Sequence, residues 1–585
     1  MNKDIVELKE DISSSPLYSE DLAPVPESKR TWSVWSLAAI WVGMAVCIPT
    51  YMLASSMIIG GLGWVEAIII IGLANVIITI PMILSGHAGV KYGIPFPVLG
   101  RSSFGYNGIH FPAIVRGLIA AVWFGIQTWI GGFSIYSIYC VVSGTPLTMD
   151  LDVAKFVCFF IFWLINVYFI WKGTESIKLL ELFAAPILVL MGVALIIWGS
   201  TAAGGFEKVL DQVDQLKAPS VVMDSEHLTL GIHPIEKVDG TIKAEQMQIT
   251  LIDGESANTS GWIPVTDTYD LKQLGANNNS EGLQVKVQMA AESSSGRVLS
   301  KELIIMQSPK TPARSIWWSY AIMLTAMVGF WSTMAISIAD ITRYSKTQKD
   351  QIMGQFIGLP GTMILYSFVG IFVTAASLVL FDDILLRADA PWDPAALLSK
   401  FDGVTIIIVS QIFLLVATLS TNIAANVIAP ANAFSNAFPK RISFRSGGLI
   451  TAVFGILICP WWIINHIIPL LLFISSLLGP VVAILICDYF IIRKTNLNLP
   501  ALYQKDGEYA FGGNGVNNKA IIAFVIGAIF AGIGNFVPAL SFLYDISWFS
   551  GFIVSFVVYY LLMKNYQPGE QVNKPTLSEV QEKNI

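Results

Sequence analysis

The chain is poor in charge. Asp, Glu, Lys and Arg make up only 13% of its 585 residues, against about a quarter in soluble domains. With 54% hydrophobic residues and a mean hydropathy of +0.64, this reads as an integral membrane protein. Cysteine is scarce too. Cys47, Cys140, Cys158, Cys459 and Cys487 all lie in apolar stretches, so no disulfide framework or CxxC metal site is implied. The five histidines are too scattered for a metal centre. Residues 1–30 hold no apolar core with a cleavage site, which argues against a cleaved signal peptide. No nucleophile motif, metal cluster or phosphate-cradling loop stands out, so the chain does not read as an enzyme, and no nucleic-acid partner is expected. The net charge of −6 carries little meaning, because membrane orientation follows local Lys and Arg.

What is present is aromatic and apolar. Aromatics reach 12%, including 17 Trp, which fits interface belts and a ligand cavity. Hydropathy predicts about twelve spans of bilayer length: 34–60, 62–85, 112–142, 153–171, 178–199, 313–341, 354–380, 402–431, 447–464, 466–492, 519–537 and 541–563. Basic residues recur in alternate loops: Lys29 and Arg30, Lys91 and Arg101, Lys172 and Lys178, Arg343 to Lys349, Lys440 to Arg445, then Arg493, Lys494 and Lys505. The intervening loops are nearly bare apart from Arg387 and Lys400. Both termini are therefore expected in the cytoplasm, 1–30 as a mostly disordered tail and 564–585 as a second tail.

Residues 200–312 break the pattern. Short alternating runs such as MQITLID and LQVKVQM, separated by Gly, Asn and Ser, predict a β-rich or loop-like insert, external by parity and read as a passive elaboration. Asn258-Thr259-Ser260 and Asn278-Asn279-Ser280 match glycosylation acceptors.

Residues 412–430 organise the rest. This stretch is apolar enough to span a bilayer yet carries Ser420, Thr421, Asn422 and Asn426 near its middle. Unpartnered polar groups are costly at that depth, so they are expected to face a cavity or another helix. Ala417, Ser420 and Thr421 share one helical face, and Asn422 and Asn426 form an i, i+4 pair beside it. A carbonyl and two hydroxyls suit a hard monovalent cation; the amides suit a neutral polar solute. Asn422 itself is read as a helix–helix hydrogen bond. Residues 31–199 and 313–492 read as two five-span repeats of opposite orientation, followed by two further helices over 493–563. The first span of each repeat carries an interruption, at Gly43 with Cys47-Ile48-Pro49-Thr50 and at Gly329-Phe330-Trp331-Ser332, where freed backbone could serve an ion or solute. Asp340 and Asp488 lie near Arg343 and Arg493 and are read as ion-paired.

WSLAAIWVGMAVCIPTYMLA (35–54), GIPFPVLGRSSFG (93–105), WFGIQTWIGG (123–132), FWSTMAISIADITR (330–343), ATLSTNIAANVIAPA (417–431) and LLGPVVAILICDYFIIRK (477–494) together resemble the nucleobase–cation symporters. The resemblance covers roughly residues 30–200 and 313–564. It implies an all-α polytopic fold, the LeuT-like five-plus-five inverted repeat with two broken helices. It implies alternating-access import of a purine, pyrimidine, hydantoin, allantoin or related ring. It carries a sodium site onto the carbonyls of Gly43, Val46 and Ala417 and the hydroxyls of Ser420 and Thr421. It carries the substrate site onto Trp123, Gln127, Trp331 and Asn426. Where some members have glycine before the second tryptophan this chain has Phe330, which would narrow the pocket or add a stacking face; Cys47 stands where some have glutamine. No ionisable group is evident at midplane in spans one, three, six or eight, which favours Na⁺ over H⁺. A plasma or bacterial inner membrane and action as a monomer are expected. A same-fold carrier of amino acids or other small solutes, and a solute receptor signalling through the insert, remain as alternatives.

Overall fold

The computed structural model describes residues 5–59, 62–147, 151–213, 316–380, 403–463 and 467–566, with Leu398 and the strand-bearing parts of 221–306. The loop bearing Arg387 and Lys400, the Asn278 triplet and the tail from 567 onward lie outside the described residues.

The helices that organise the molecule are α1 (Val34–Ala45), α2 (Ile48–Ile59), α3 (Trp64–Tyr92), α4 (His110–Ser143), α5 (Val153–Lys172) and α6 (Thr174–Ala202). After the insert come α7 (Ile316–Phe330), α8 (Ser332–Ser337), α9 (Gln348–Leu380), α10 (Val404–Asn426), α11 (Ile428–Ala437), α12 (Phe444–Leu457), α13 (Ile467–Ile486), α14 (Asn518–Gly532) and α15 (Ser547–Met563). Among the described residues seven helices are long and apolar enough to span a membrane, and an eighth is the pair Pro538–Asp545 and Ser547–Met563, bent by 84°. This falls short of twelve full-length spans. The first and sixth are each divided by a break, and α12, at 14 residues, is short.

Both expected interruptions are real. α1 ends at Ala45, and α2 starts at Ile48, so Pro49 sits in the first turn of a helix, where its missing N–H costs nothing. α7 ends at Phe330, and Trp331 (φ −97°, ψ 4°) is non-helical before α8. Gly329 permits a close approach just before this break. A Cβ there would lie 2.0 Å from Ser475 Oγ and 3.1 Å from the Leu471 carbonyl, both on α13. α1 packs on α9, α6 and α10, and α4 packs on α10, α11, α5 and α12, so α10 lies against both α1 and α4 in the core.

The insert folds as strands β1 (Val221–Asp224), β2 (Thr229–Ile232), β3 (Gln246–Asp253), β4 (Ser256–Pro264), β5 (Thr268–Asp270), β6 (Gln284–Ser293), β7 (Gly296–Leu299) and β8 (Leu303–Met306). They form two antiparallel sheets, ordered β1-β2-β5 and β4-β3-β6-β7, with β8 also pairing with β6. Alternation along β3 sends Met247, Ile249 and Leu251 into a small core with Val285 and Val287. In the first glycosylation triplet, Asn258 Nδ2 donates to the Leu274 carbonyl at 2.9 Å, so that amide already has a structural partner.

The expectation of a mostly disordered tail is corrected by residues 5–30, which form an ordered strap across one end of the bundle. Val25 N–H donates to the Gly93 carbonyl at 2.9 Å, Tyr503 Oη to the Leu22 carbonyl at 2.7 Å, and Arg101 Nη2 to the Leu17 carbonyl at 3.1 Å. Leu17, Leu22 and Val25 are buried. Three apolar residues are too few to register as a core in composition, yet the strap's backbone finds partners contributed by distant loops.

Candidate functional site

The break after α1 changes the bonding of its last turn. In a continuous helix the Cys47 N–H would reach the Gly43 carbonyl. Here it turns back to the Ala45 carbonyl at 3.0 Å, and Val46 leaves helical geometry (φ −78°, ψ 79°). The Gly43 carbonyl instead accepts from Thr421 Oγ1 at 3.0 Å and Ser420 Oγ at 3.3 Å, and Thr421 also reaches the Met44 carbonyl at 3.3 Å. Val46 and Ala417 pack in one cluster with Tyr366 at the same junction. All five residues expected to hold a cation are therefore gathered where α1 breaks against α10. The donor set is neutral oxygen, the chemistry that hard cations take.

Trp123 and Gln127 lie on one face of α4 and are both buried. Phe330 stands edge-on to Trp123, with ring centroids 5.3 Å apart at 85°, and edge-on to Trp331, 5.0 Å apart at 72°. Trp331 meets Trp41 of α1 at 5.2 Å and 82°. This chain of four rings connects α4 to both broken helices. Sequence reasoning missed Trp41; its position six residues before Cys47, inside the interrupted span, was the available signal.

Two polar atoms on this wall have no partner among the described residues: Gln127 Oε1 and Trp331 Nε1, each buried. A buried polar group left unpaired costs about 1–3 kcal/mol, so an empty donor and an empty acceptor beside an aromatic wall point to a ligand. Cys47, in the α1–α2 break, neighbours the Gln127 amide and lies 3.3 Å from Thr50 Oγ1. The break, the aromatic wall and the amide thus meet at one thiol.

Asn426 is the last residue of α10. Its Nδ2 donates to Asn422 Oδ1 at 3.1 Å, and Asn422 Nδ2 reaches the Phe124 carbonyl, Thr128 Oγ1 and Asn166 Oδ1 at 3.3, 3.2 and 3.0 Å. Asn422 is thus a bridge from α10 to α4 and α5, as its spacing suggested.

Arg116, two turns before Trp123 on α4, was not singled out from sequence. It is fully buried and spans the gap to two other helices, with Nε donating to the Thr333 carbonyl at 2.8 Å and Nη2 to the Ala425 carbonyl at 3.2 Å. The two aspartates part ways. Asp488 pairs with Arg493 at 2.8 Å as expected. Asp340 does not meet Arg343 that way: its Oδ1 accepts from the Phe96 N–H and Asn432 Nδ2, both at 3.0 Å, while Arg343 donates to the Asp21 carbonyl and Tyr344 Oη. Arg343 stays within electrostatic reach of Asp340 without a direct bond to it.

Comparison with known proteins follows the same lines. The family model described as permease for cytosine/purines, uracil, thiamine, allantoin matches residues 24–226 and 285–551. An allantoin permease of Bacillus subtilis is 31% identical over 566 residues, covering 95% of each chain. A purine-uracil permease of Arabidopsis thaliana is 31% identical over 568 residues, covering 94% of this chain and 78% of its own. Among solved structures, the nucleobase-cation-symport-1 transporter Mhp1, closed with bromovinylhydantoin bound, superposes with a TM-score of 0.66 at 22% identity, over 97% of this chain and 99% of its own. A Na⁺-coupled sialic acid symporter shares the fold more distantly, with a TM-score of 0.52 at 12% identity over 90% of each chain. These likenesses give the fold as the inverted-repeat transporter architecture, an integral membrane protein and not an enzyme. With four-fifths of its length matched by one model and both broken helices in place, the chain belongs to the cytosine/purine, uracil, thiamine and allantoin permeases, the nucleobase–cation symporter family.

Proposed function

We propose that this permease imports a planar nucleobase, hydantoin or ureide ring together with Na⁺ by alternating access. The observation that carries this reading is the pair of buried, unpartnered atoms, Gln127 Oε1 and Trp331 Nε1, on a wall of Trp123, Phe330 and Trp331. A flat ring gains about 1–3 kcal/mol by stacking on an aromatic face. Its N–H and C=O edges supply the missing partners at Gln127, Trp331 and Asn426. Relatives named for allantoin, purines and uracil support the same class.

Sodium is the proposed companion because Gly43, Val46, Ala417, Ser420 and Thr421 offer oxygens without a carboxylate. The cation supplies a positive centre for the carbonyls at the end of α1, and so favours one arrangement of the α1–α2 break beside Cys47 and Gln127. By linkage, ring and cation raise each other's affinity equally. The positive-inside pattern supports both termini, and hence the strap, on the cytoplasmic side. The chain is read as working alone in the membrane.

The test is thermal stability of the purified protein against uracil, cytosine, adenine, hypoxanthine, allantoin, hydantoins and several amino acids, in sodium and in choline. A ligand that binds the folded state raises stability with its concentration over Kd. A ring compound that stabilises more in sodium than in choline supports both parts. Stabilisation by an amino acid alone would overturn the ring, and equal stabilisation in both salts would overturn the cation.

A further inference from the structure

We propose that Asn422 fixes which end of the Asn426 amide faces the substrate, so that the transported ring must offer an N–H to Asn426 Oδ1. This deepens the proposed function and rests on that reading. The two ends of an amide are told apart by their partners, and here the partners form a chain with one polarity. Thr128 Oγ1 donates to the Phe124 carbonyl at 2.7 Å, so towards Asn422 it can only accept. Asn166 Nδ2 donates to the Phe162 carbonyl at 2.9 Å, which turns its Oδ1 outward as another acceptor. The Phe124 carbonyl is an acceptor by nature. Three acceptors thus surround one end of Asn422, and that end must be the NH₂. Its Oδ1 is then directed at Asn426, and that end of Asn426 must donate. What remains is Asn426 Oδ1, which receives no hydrogen bond from the described residues.

The position suits a ligand contact. Asn422 lies opposite Phe124 and Thr128, and Ala425 lies opposite Arg116, so α10 and α4 run antiparallel, and Asn426, one turn beyond Asn422, falls at a level of α4 before Phe124, on the Trp123 side. The contrast with Gln127 sharpens the point. Its neighbour, the Cys47 thiol, can donate or accept, so Gln127 can turn over to suit either edge of a ring. Asn426 cannot turn over without setting its Oδ1 against Asn422 Oδ1, two acceptors with no proton between them. The site therefore holds one fixed acceptor and one adaptable amide, which favours lactam, imide and ureide rings and disfavours rings that present only lone pairs. Asn422 acts through Asn426 and is a positioning residue.

The experiment is competition for the full-length protein against whichever ring ligand stabilises it, using 2-pyridone and 2-pyranone. These rings match in outline and differ in one atom, N–H against ring oxygen. On the native protein, 2-pyridone should compete at least about tenfold better, the scale of one buried acceptor left unpaired. In Asn422→Leu, Asn426 is free to turn and the ratio should fall towards one. Loss of affinity for both rings with the ratio preserved would make Asn422 merely structural and overturn the inference. Equal competition on the native protein would overturn it whether or not the variant folds. If no flat ring binds at all, the proposed function itself fails; if rings bind without N–H preference, only the relay fails.

Discussion

Thr421 Oγ1 donates to the Gly43 carbonyl across 3.0 Å, joining residues 378 positions apart. The contact exists because α1 breaks: an unbroken helix would have used that carbonyl internally. It ties the two halves of the chain at the proposed cation site.

Thr421→Ala should remove the sodium dependence of ring binding while Thr421→Ser keeps most of it. Native coupling between the two ligands is expected at roughly 5- to 150-fold in affinity, and near none in the alanine variant. Binding titrations in sodium and choline check this, and undiminished sodium stimulation in Thr421→Ala would remove Thr421 from the ion site.

Phe330 is expected to narrow the proposed substrate slot or add a stacking face to it. It is only 7% exposed and wedged edge-on between two tryptophans, so Phe330→Ala should cost about 3–5 kcal/mol of stability. The same change should admit rings with bulky substituents that the native protein excludes. Competition by a 5-aryl hydantoin, absent in the native protein and present in the variant, is the expected outcome.

Arg116 is a latch. Its guanidinium binds α8 through the Thr333 carbonyl and α10 through the Ala425 carbonyl. Arg116→Met leaves those carbonyls without it, and Arg116→Lys cannot restore a fork that spans both. Both variants should open the space beneath the aromatic wall. A cysteine placed at Ala335, fully buried on α8, should be labelled about tenfold faster in either background, read peptide by peptide in a mass spectrometer. Unchanged labelling would reduce Arg116 to a packing residue.

Arg493 sits at the centre of a buried charge network. Arg493 bonds Asp488 at 2.8 Å and Glu508 at 2.6 Å, and Asp488 also accepts from Tyr559 at 2.8 Å. Arg493→Met should destabilise the protein by about 3–5 kcal/mol, because it strands two carboxylates away from solvent. The drop should show in thermal unfolding. Sodium dependence of ligand binding should survive, since the network lies apart from the α1–α10 junction.

Part of the candidate site was legible in local spacing. Ala417 with Ser420 and Thr421, and Asn422 with Asn426, each follow from a helix of 3.6 residues per turn applied to an apolar run with polar interruptions, whereas Trp123 with Gln127 came from the family resemblance. Trp41 and Arg116 were not legible. A tryptophan in an apolar span reads as belt or packing, and a lone arginine at a helix start reads as a loop charge. Only their neighbours, contributed from hundreds of residues away, give them roles.

Sequence by itself determined that the chain is a membrane transporter of two halves with a β-rich insert, because hydropathy, loop charge and motif order are local properties written along the chain. Tertiary structure alone decided which buried atoms lack a partner among the described residues, that Asp340 bonds Phe96 and Asn432 and not Arg343 directly, that the N-terminal segment straps the bundle, and that Asn426 donates to Asn422. Each of these depends on which distant donor meets which acceptor, and hydrogen bonds form across space between groups whose separation along the chain carries no signal.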